Sequence, residues 1–225
     1  MAYNINDVYK VCLFAVGKNN SQGYLSPDDF NLTINQAQKE YTSYLLGSFQ
    51  QYLPGRPEAR VQFGQNNTIR TRLRQIIYTT DLSVDNTGFS PYPGDFMQVD
   101  AMWSIYGYER IREIQQNQFY GVHNSVIDPI ASWPVYMIEN DGFRFFPNTI
   151  GQAKMSYVIN PPDMVWGYTL DINGNPVYNP ATSVQPVWND ASIMEIIIRA
   201  LRIIGVNLDY NAVNAYAVQV QTQGQ

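Results

Sequence analysis

The stretch Ser26–Leu53, SPDDFNLTINQAQKEYTSYLLGSFQQYL, decides the reading of the fold. Ser26 is a good N-cap and Pro27 suits the first helical position. Asp28 and Asp29 put negative charge at the positive end of the helix dipole. Phe30, Ile34, Ala37, Tyr41, Leu45, Phe49 and Tyr52 then recur at helical spacing. The pattern predicts a helix from Pro27 to Leu53, about 40 Å long. Pro54-Gly55-Arg56-Pro57 ends it. The opposite face, Asn31, Asn35, Gln38 and Thr42, is polar but hardly charged.

Helices are also predicted near both termini. Upstream, Asn6 is placed to cap, Asp7 to meet the dipole and Gly17 to stop a short helix. Val8, Val11, Cys12, Ala15 and Val16 form its apolar face, which makes Cys12 a small buried hydrophobe with no base near it in sequence. Downstream, Asn189 or Asp190 caps a helix whose apolar face is Ile193, Ile196, Ile197, Ala200, Leu201 and Ile204. Arg199 and Arg202 sit late in it, and Gly205 ends it. Asp209 is placed to cap a last helix with Val213, Tyr216, Ala217 and Val220. Gln219–Gln225 is a polar tail expected to be loose on its own.

Between these helices the period changes to that of strands. Arg60–Phe63 alternates, and Thr71–Tyr78 and Phe96–Tyr106 are rich in β-branched and aromatic residues. Val135–Glu139 and Phe143–Phe146 flank Asn140-Asp141-Gly142, a hairpin signal. Met155–Ile159 is a strand that stops at Pro161-Pro162. Leu170–Ile172 and Val177–Tyr178 flank Asn173-Gly174-Asn175-Pro176, a second hairpin signal. Glu109–Gln118 reads either as a short helix or as a strand, and its alternation favours strand.

The expected fold class is α+β: a body of N- and C-terminal helices with a β-rich middle bearing hairpins. It is expected as one domain, helical over 1–57, β-rich over 58–180 and helical again over 181–225, with the β region projecting from packed terminal helices. No linker or internal repeat divides the chain.

Polarity is supplied in an unusual way. Charged residues are 15% of the 225, against about 25% in ordinary domains. Yet 39 residues are Asn or Gln, and 17 are Tyr. A hydrophobic content of 45% excludes a disordered chain. The net charge of −5 argues against a general nucleic-acid binder. The N-terminus has no basic stretch of the kind that opens a signal peptide. The most apolar run, Ile193–Val206, is broken by Glu195, Arg199 and Arg202, so no membrane partner is expected.

The search for catalytic chemistry is mostly negative. There is no phosphate loop, dinucleotide fingerprint, CxxC or HExxH, and no cofactor or metal is expected. Asp171-Ile172-Asn173-Gly174-Asn175 departs from a calcium loop: Pro176 stands where the glycine belongs and Thr182 where the bidentate Glu belongs. His123 with Asp128 and Ser125 has the composition of a hydrolase triad, but no strained nucleophile turn supports it. One cluster stands out: Arg56, Arg60, Arg70, Arg72 and Arg74, with Glu58 the only acid among them. If Ile69–Ile76 is extended, Arg70, Arg72 and Arg74 share a face. They then form either a positive strip for an acidic partner or subunit, or a solvated edge whose charges block aggregation. The tryptophans Trp103, Trp133, Trp166 and Trp188 allow three readings: core packing, a sugar-binding face, or a wet subunit interface.

Five blocks carry a resemblance. They are Gly23–Asn31 followed by Asn35–Gln38; Gln51–Pro57; Tyr92–Phe96; Tyr157–Pro162 followed by Trp166; and Val187–Asp190 leading into Ile196–Arg199 and Gly205–Leu208. In this order the chain resembles a virion protein family of crAss-like and related podovirus-type tailed bacteriophages, whose members are adaptor or ring proteins of the neck and tail. The resemblance implies an adaptor-like, non-enzymatic subunit of a homo-oligomeric ring in the virion, assembled in the host cytoplasm. Its partners would be the portal and other ring proteins, and DNA would pass through its channel without sequence-specific binding. A ring needs two different complementary faces on each subunit. The candidate interface residues are the five arginines, the turns Asn140, Asp141, Gly142 and Asn173, Gly174, and Tyr216, Gln219 and Gln221 near the C-terminus. The alternative is a carbohydrate-binding tail or receptor-binding module that uses Trp133 or Trp166.

Overall fold

The structure, a computed structural model, describes residues 3–19, 25–47, 67–105, 109–123, 129–130 and 132–205. It has both helices and sheets, as the α+β reading requires. The chain forms two compact units: Met1–Arg72 with Pro162–Gln225, and Leu73–Pro161. The second is inserted in sequence into the first.

The first unit is built on α1 (Ile5–Asn19), α2 (Pro27–Leu46) and α5 (Asp190–Ile203). In α2, Ser26 Oγ accepts from the Asp29 N–H at 3.1 Å and donates to its carboxylate at 2.6 Å. Phe30, Ile34, Ala37, Tyr41 and Leu45 are buried as their spacing predicts, and α2 packs on α5. The helix ends at Leu46, earlier than expected, because Gly47 takes φ +85° and returns its N–H to the Tyr44 carbonyl. Residues 48–53 lie outside the described set. α1 starts two residues earlier than expected, with the Asn4 side chain accepting from the Asn6 N–H at 3.0 Å, and it continues past Gly17. Its core face is Ile5, Val8, Tyr9, Cys12 and Val16, whereas Val11 is exposed. In α5, Asn189 is the cap, accepting from the Ser192 N–H at 2.8 Å, and Gly205 has φ +76°. The short hairpin β8 (Tyr168–Leu170) and β9 (Pro176–Tyr178) belongs to this unit.

The polar stripe of α2 does not face solvent. Asn35 accepts from the Met164 N–H at 2.7 Å and donates to the Met164 carbonyl at 2.8 Å. Asn31 does the same to Trp166, at 2.7 and 3.3 Å. Gln38 donates to the Pro162 carbonyl at 3.0 Å and accepts from the Trp188 indole at 3.2 Å. Asn31 and Asn35 are about 6 Å apart along the helix, close to the roughly 6.6 Å between alternate residues of extended chain. Side-chain amides thus hold Pro162–Trp166 as a neighbouring strand would.

The second unit holds two sheets. In one, β7 (Gln152–Ile159) lies between β1 (Ile77–Ser83) and β3 (Phe96–Ser104), antiparallel to both. The other has the order β2 (Phe89–Pro91), β6 (Gly142–Phe146), β5 (Val135–Ile138), β4 (Arg112–Glu113), with β4 parallel to β5. Before β4 joins β5, Glu109–Ile111 bonds to the end of β3, through Ser104 N–H to the Glu109 carbonyl at 2.8 Å and Ile111 N–H to the Met102 carbonyl at 2.9 Å. That crossing links the sheets. Their core is aromatic: Tyr92 stacks on Phe96 at 4.7 Å, and Phe143 meets both rings edge-on at 4.7 and 5.4 Å. Tyr136 and Phe145 extend the cluster.

Two expectations are corrected in this region. Thr71–Tyr78 is not one strand: Asn67–Leu73 is the helix α3, and strand begins only at Ile77. Leu73 and Ile76 are fully buried, and Ile69, Leu73 and Ile76 follow a helical spacing that outweighs the Arg alternation. Glu109–Gln118 is neither one strand nor one helix. Arg112–Glu113 forms β4, and α4 (Gln116–His123) follows.

Candidate functional site

Arg70, Arg72 and Arg74 do not share one face. Arg70 and Arg72 lie on α3 and Arg74 just beyond it, so two-residue steps separate neighbours by about 200° around the axis. Arg72 turns toward Glu195, 3.8 Å away, while Arg70 and Arg74 are exposed. Arg56 and Arg60 lie outside the described residues, as do Tyr216, Gln219 and Gln221. Ser125 and Asp128 also lie outside them, and so does the side chain of His123.

Both expected hairpins form, each held by its own residues. At the β5–β6 tip the Glu139 N–H donates to the Gly142 carbonyl at 2.9 Å, leaving Asn140 and Asp141 as the exposed turn residues. Gly142 is not there for a positive φ. A Cβ at that position would stand 2.2 Å from the Ser90 carbonyl oxygen, so β2 and β6 close only on glycine. Behind the tip, Arg144 forms two 2.9 Å bonds to the Glu139 carboxylate and lies over the Phe89 ring at 5.4 Å. The Glu139 bond raises the guanidinium pKa further.

At the β8–β9 tip, the Asp171 carboxylate accepts from the Asn173 and Asn175 N–H groups, both at 2.8 Å. The backbone bond from Asn175 is the chief cause that holds this carboxyl below the usual range. Gly174 takes φ +81° to close the turn. The carboxylate is thus engaged by its own loop, as in an ordinary Asx turn. Three apolar side chains on this turn and the strands beside it are exposed. Ile172 is fully accessible, Leu170 is 65% exposed and Val177 is 49% exposed. Sequence reasoning selected Asn173 and Gly174 and missed these three, although their alternation with polar residues is visible there.

The tryptophans divide by unit. Trp166 and Trp188 are buried in the helical unit, their indoles bonded to Asn6 and Gln38 at 3.1 and 3.2 Å. Trp166 is therefore corrected from a possible sugar platform to a core residue. Trp133 is 60% exposed, with the Arg112 guanidinium 5.1 Å from its ring centre. It lines an open groove of about 800 Å³ with Glu109, Arg110, Arg112, Glu113 and Pro134. Burial raises the Tyr136 hydroxyl pKa, and Glu113, which accepts from it at 3.2 Å, adds to the effect.

Cys12 is fully buried, and burial pushes its thiol up to about 12, so it packs as a hydrophobe. Among the described residues no group of three His, Cys, Asp or Glu is placed to hold a metal ion. Among them no helix is long and apolar enough to cross a membrane. Compared with protein-family models and with curated proteins, the chain matches none.

Proposed function

We propose that this protein is a non-enzymatic structural subunit of a tailed-phage neck or tail, forming a ring that connects the portal to the tail around the DNA channel. The observation that carries the reading is the β8–β9 hairpin, which presents Leu170, Ile172 and Val177 to solvent on a turn fixed by its own hydrogen bonds. An exposed apolar patch on a pre-organised element is suited to a partner surface. The ordered blocks of sequence that resemble neck and tail ring proteins indicate which kind of assembly supplies the partner. Low charge supports it further, because amide-rich faces are covered without desolvating many ions. The net charge of −5 suits a channel in which DNA slides and does not adhere. Mass spectrometry of purified virions, followed by a cryo-electron map, tests the proposal. The protein is expected in the particle, as a closed ring between portal and tail. A purified monomer absent from particles would defeat it.

A second reading is favoured by one observation, the exposed Trp133 beside Glu109 and Glu113 in an open groove. As a carbohydrate-binding module, the protein would bind on a glycan array and lose that binding in Trp133→Ala. No signal on the array removes this reading.

A further inference from the structure

The β8–β9 hairpin is fixed to the helical unit at its base. Tyr168 and Tyr178, opposite each other in the pairing, lie 5.8 and 5.9 Å from the Trp166 ring, and the Tyr178 hydroxyl donates to Asn4 Oδ1 at 3.2 Å. Beyond this base Leu170 and Ile172 are exposed. Asp171, between them, is the one charged residue of Tyr168–Tyr178. Its Oδ1 accepts both turn N–H groups, while its Oδ2 meets only the Asn175 amide, at 3.3 Å, among the described residues. A carboxylate oxygen has two lone pairs, so Oδ2 keeps capacity for a donor.

The same unit carries a second exposed apolar row. Ile193, Ile196, Ile197 and Ala200 form the buried side of α5, which packs on α2 and α1. On its other side Met194, Ile198 and Arg202 follow at four-residue steps, and all three are exposed. Arg202 keeps 73% of its side chain accessible, and its contact with Glu40 is 3.4 Å. Glu195, beside the row, is paired with Arg72 at 3.8 Å. The two rows match in size. Met194 and Ile198 are about 6 Å apart along the helix, and Leu170 and Ile172 are at most about 7 Å apart along the chain. They also match in charge, one negative and one positive. Hairpin against hairpin would oppose two Asp171 carboxylates, and row against row two Arg202 guanidiniums, so like-with-like pairing is disfavoured. Leu32, 74% exposed on α2, is a poorer seat because Asp28 and Asp29 lie one turn before it and would repel Asp171.

We propose that the β8–β9 hairpin of one copy docks on α5 of a second copy, with Leu170 and Ile172 covering Met194 and Ile198 and Asp171 meeting Arg202. The apolar pairs supply the area removed from water, and the ion pair sets orientation. This deepens the ring reading and rests on it in taking a neighbouring copy to be present. Each copy offers a hairpin and a row, so the contact is head-to-tail, as a closed ring requires.

The test uses the full chain, with cysteines placed at the contact. Cys12, the one native cysteine, is fully buried and stays out of the cross-linking. A chain carrying both Ile172→Cys and Ile198→Cys should give a ladder of disulfide-linked multimers under mild oxidation, and the ladder should collapse on reduction. Ile172→Cys with Leu32→Cys should give none. A second measurement reads energy. Ile172→Lys and Ile198→Glu, each with unchanged circular dichroism, should weaken self-association about tenfold or more in sedimentation, and mixing the two variants should restore it because Lys then faces Glu. Equal ladders from the two cysteine pairs, a disulfide closed within one chain, or a mixture no better associated than its components would overturn the proposal. So would a full chain that stays monomeric. Virion mass spectrometry keeps the two readings apart: absence from particles defeats the ring whatever the cross-link, and presence without the cross-link defeats this contact alone.

Discussion

The helical unit and the β unit solve the same problem with different chemistry. In the helical unit, amide side chains reach across long sequence distances to bond backbone, as Asn31, Asn35 and Gln38 do to Pro162–Trp166. In the β unit, the backbone pairs with itself and the space between the sheets is filled by rings around Phe143. An amide ladder is directional, so removing one member leaves donors and acceptors unpaired. A ring cluster is governed by volume, so removing one member leaves a cavity. The abundant Asn and Gln are therefore not only a surface property. Part of that polarity is interior scaffolding.

The largest loss is expected where volume matters most. Phe143→Ala should destabilise the β unit by about 3–5 kcal/mol, read from urea unfolding. If the loss were under about 1 kcal/mol, the ring cluster would not be the core. Asn35→Ala comes next, at about 2–3 kcal/mol, because it strands both backbone groups of Met164. Its effect should appear in hydrogen exchange around Met164 and Trp166 and leave β1 and β7 protected. Equal loss of protection in both units would dissolve the distinction between them. Ser26→Ala should cost about 1 kcal/mol and fray the start of α2 in the same exchange experiment.

The smallest effect concerns pH. The folded pKa of Asp171 is depressed, so its ordering of the β8–β9 turn is fully present above the ordinary carboxylate pKa of about 4. That contribution fades as pH falls through the lower folded value. The amide shifts of Asn173 and Asn175 should follow this titration, and Asp171→Ala should abolish it. Shifts that move only at the ordinary carboxylate pKa would mean the turn does not hold the charge.

What was legible in the sequence was local. The cap at Ser26, the apolar spacing of α2 and α5 and both hairpin turns depend on residues a few positions apart, and they were readable. The partner of Asn35 lies 129 residues away, so the sequence shows its stripe only as polar and hardly charged, without what it bonds. Trp133 and Trp166 are the same residue type in similar settings, and only the tertiary structure separates the exposed ring from the buried one. Arg70, Arg72 and Arg74 alternate as a strand would, but the apolar residues around them follow the helical period, and burial of Leu73 and Ile76 decides between the two. Gly142 looked like a turn residue, and its necessity comes from the neighbouring strand at Ser90.

The pairing of β1 with β7 also has a mechanical side. The β unit begins at Leu73 and ends at Pro161, and the two strands next to those points are joined from Ile77↔Val158 onward. Tension applied across these two chain ends loads β1 and β7 from the same end. The bonds of the ladder then open one after another, as in a zipper, and do not share the load as they would in shear. A pull on the chain would therefore open the β unit first at the bond from Ile159 N–H to the Ile76 carbonyl, and then at every second residue pair along the ladder.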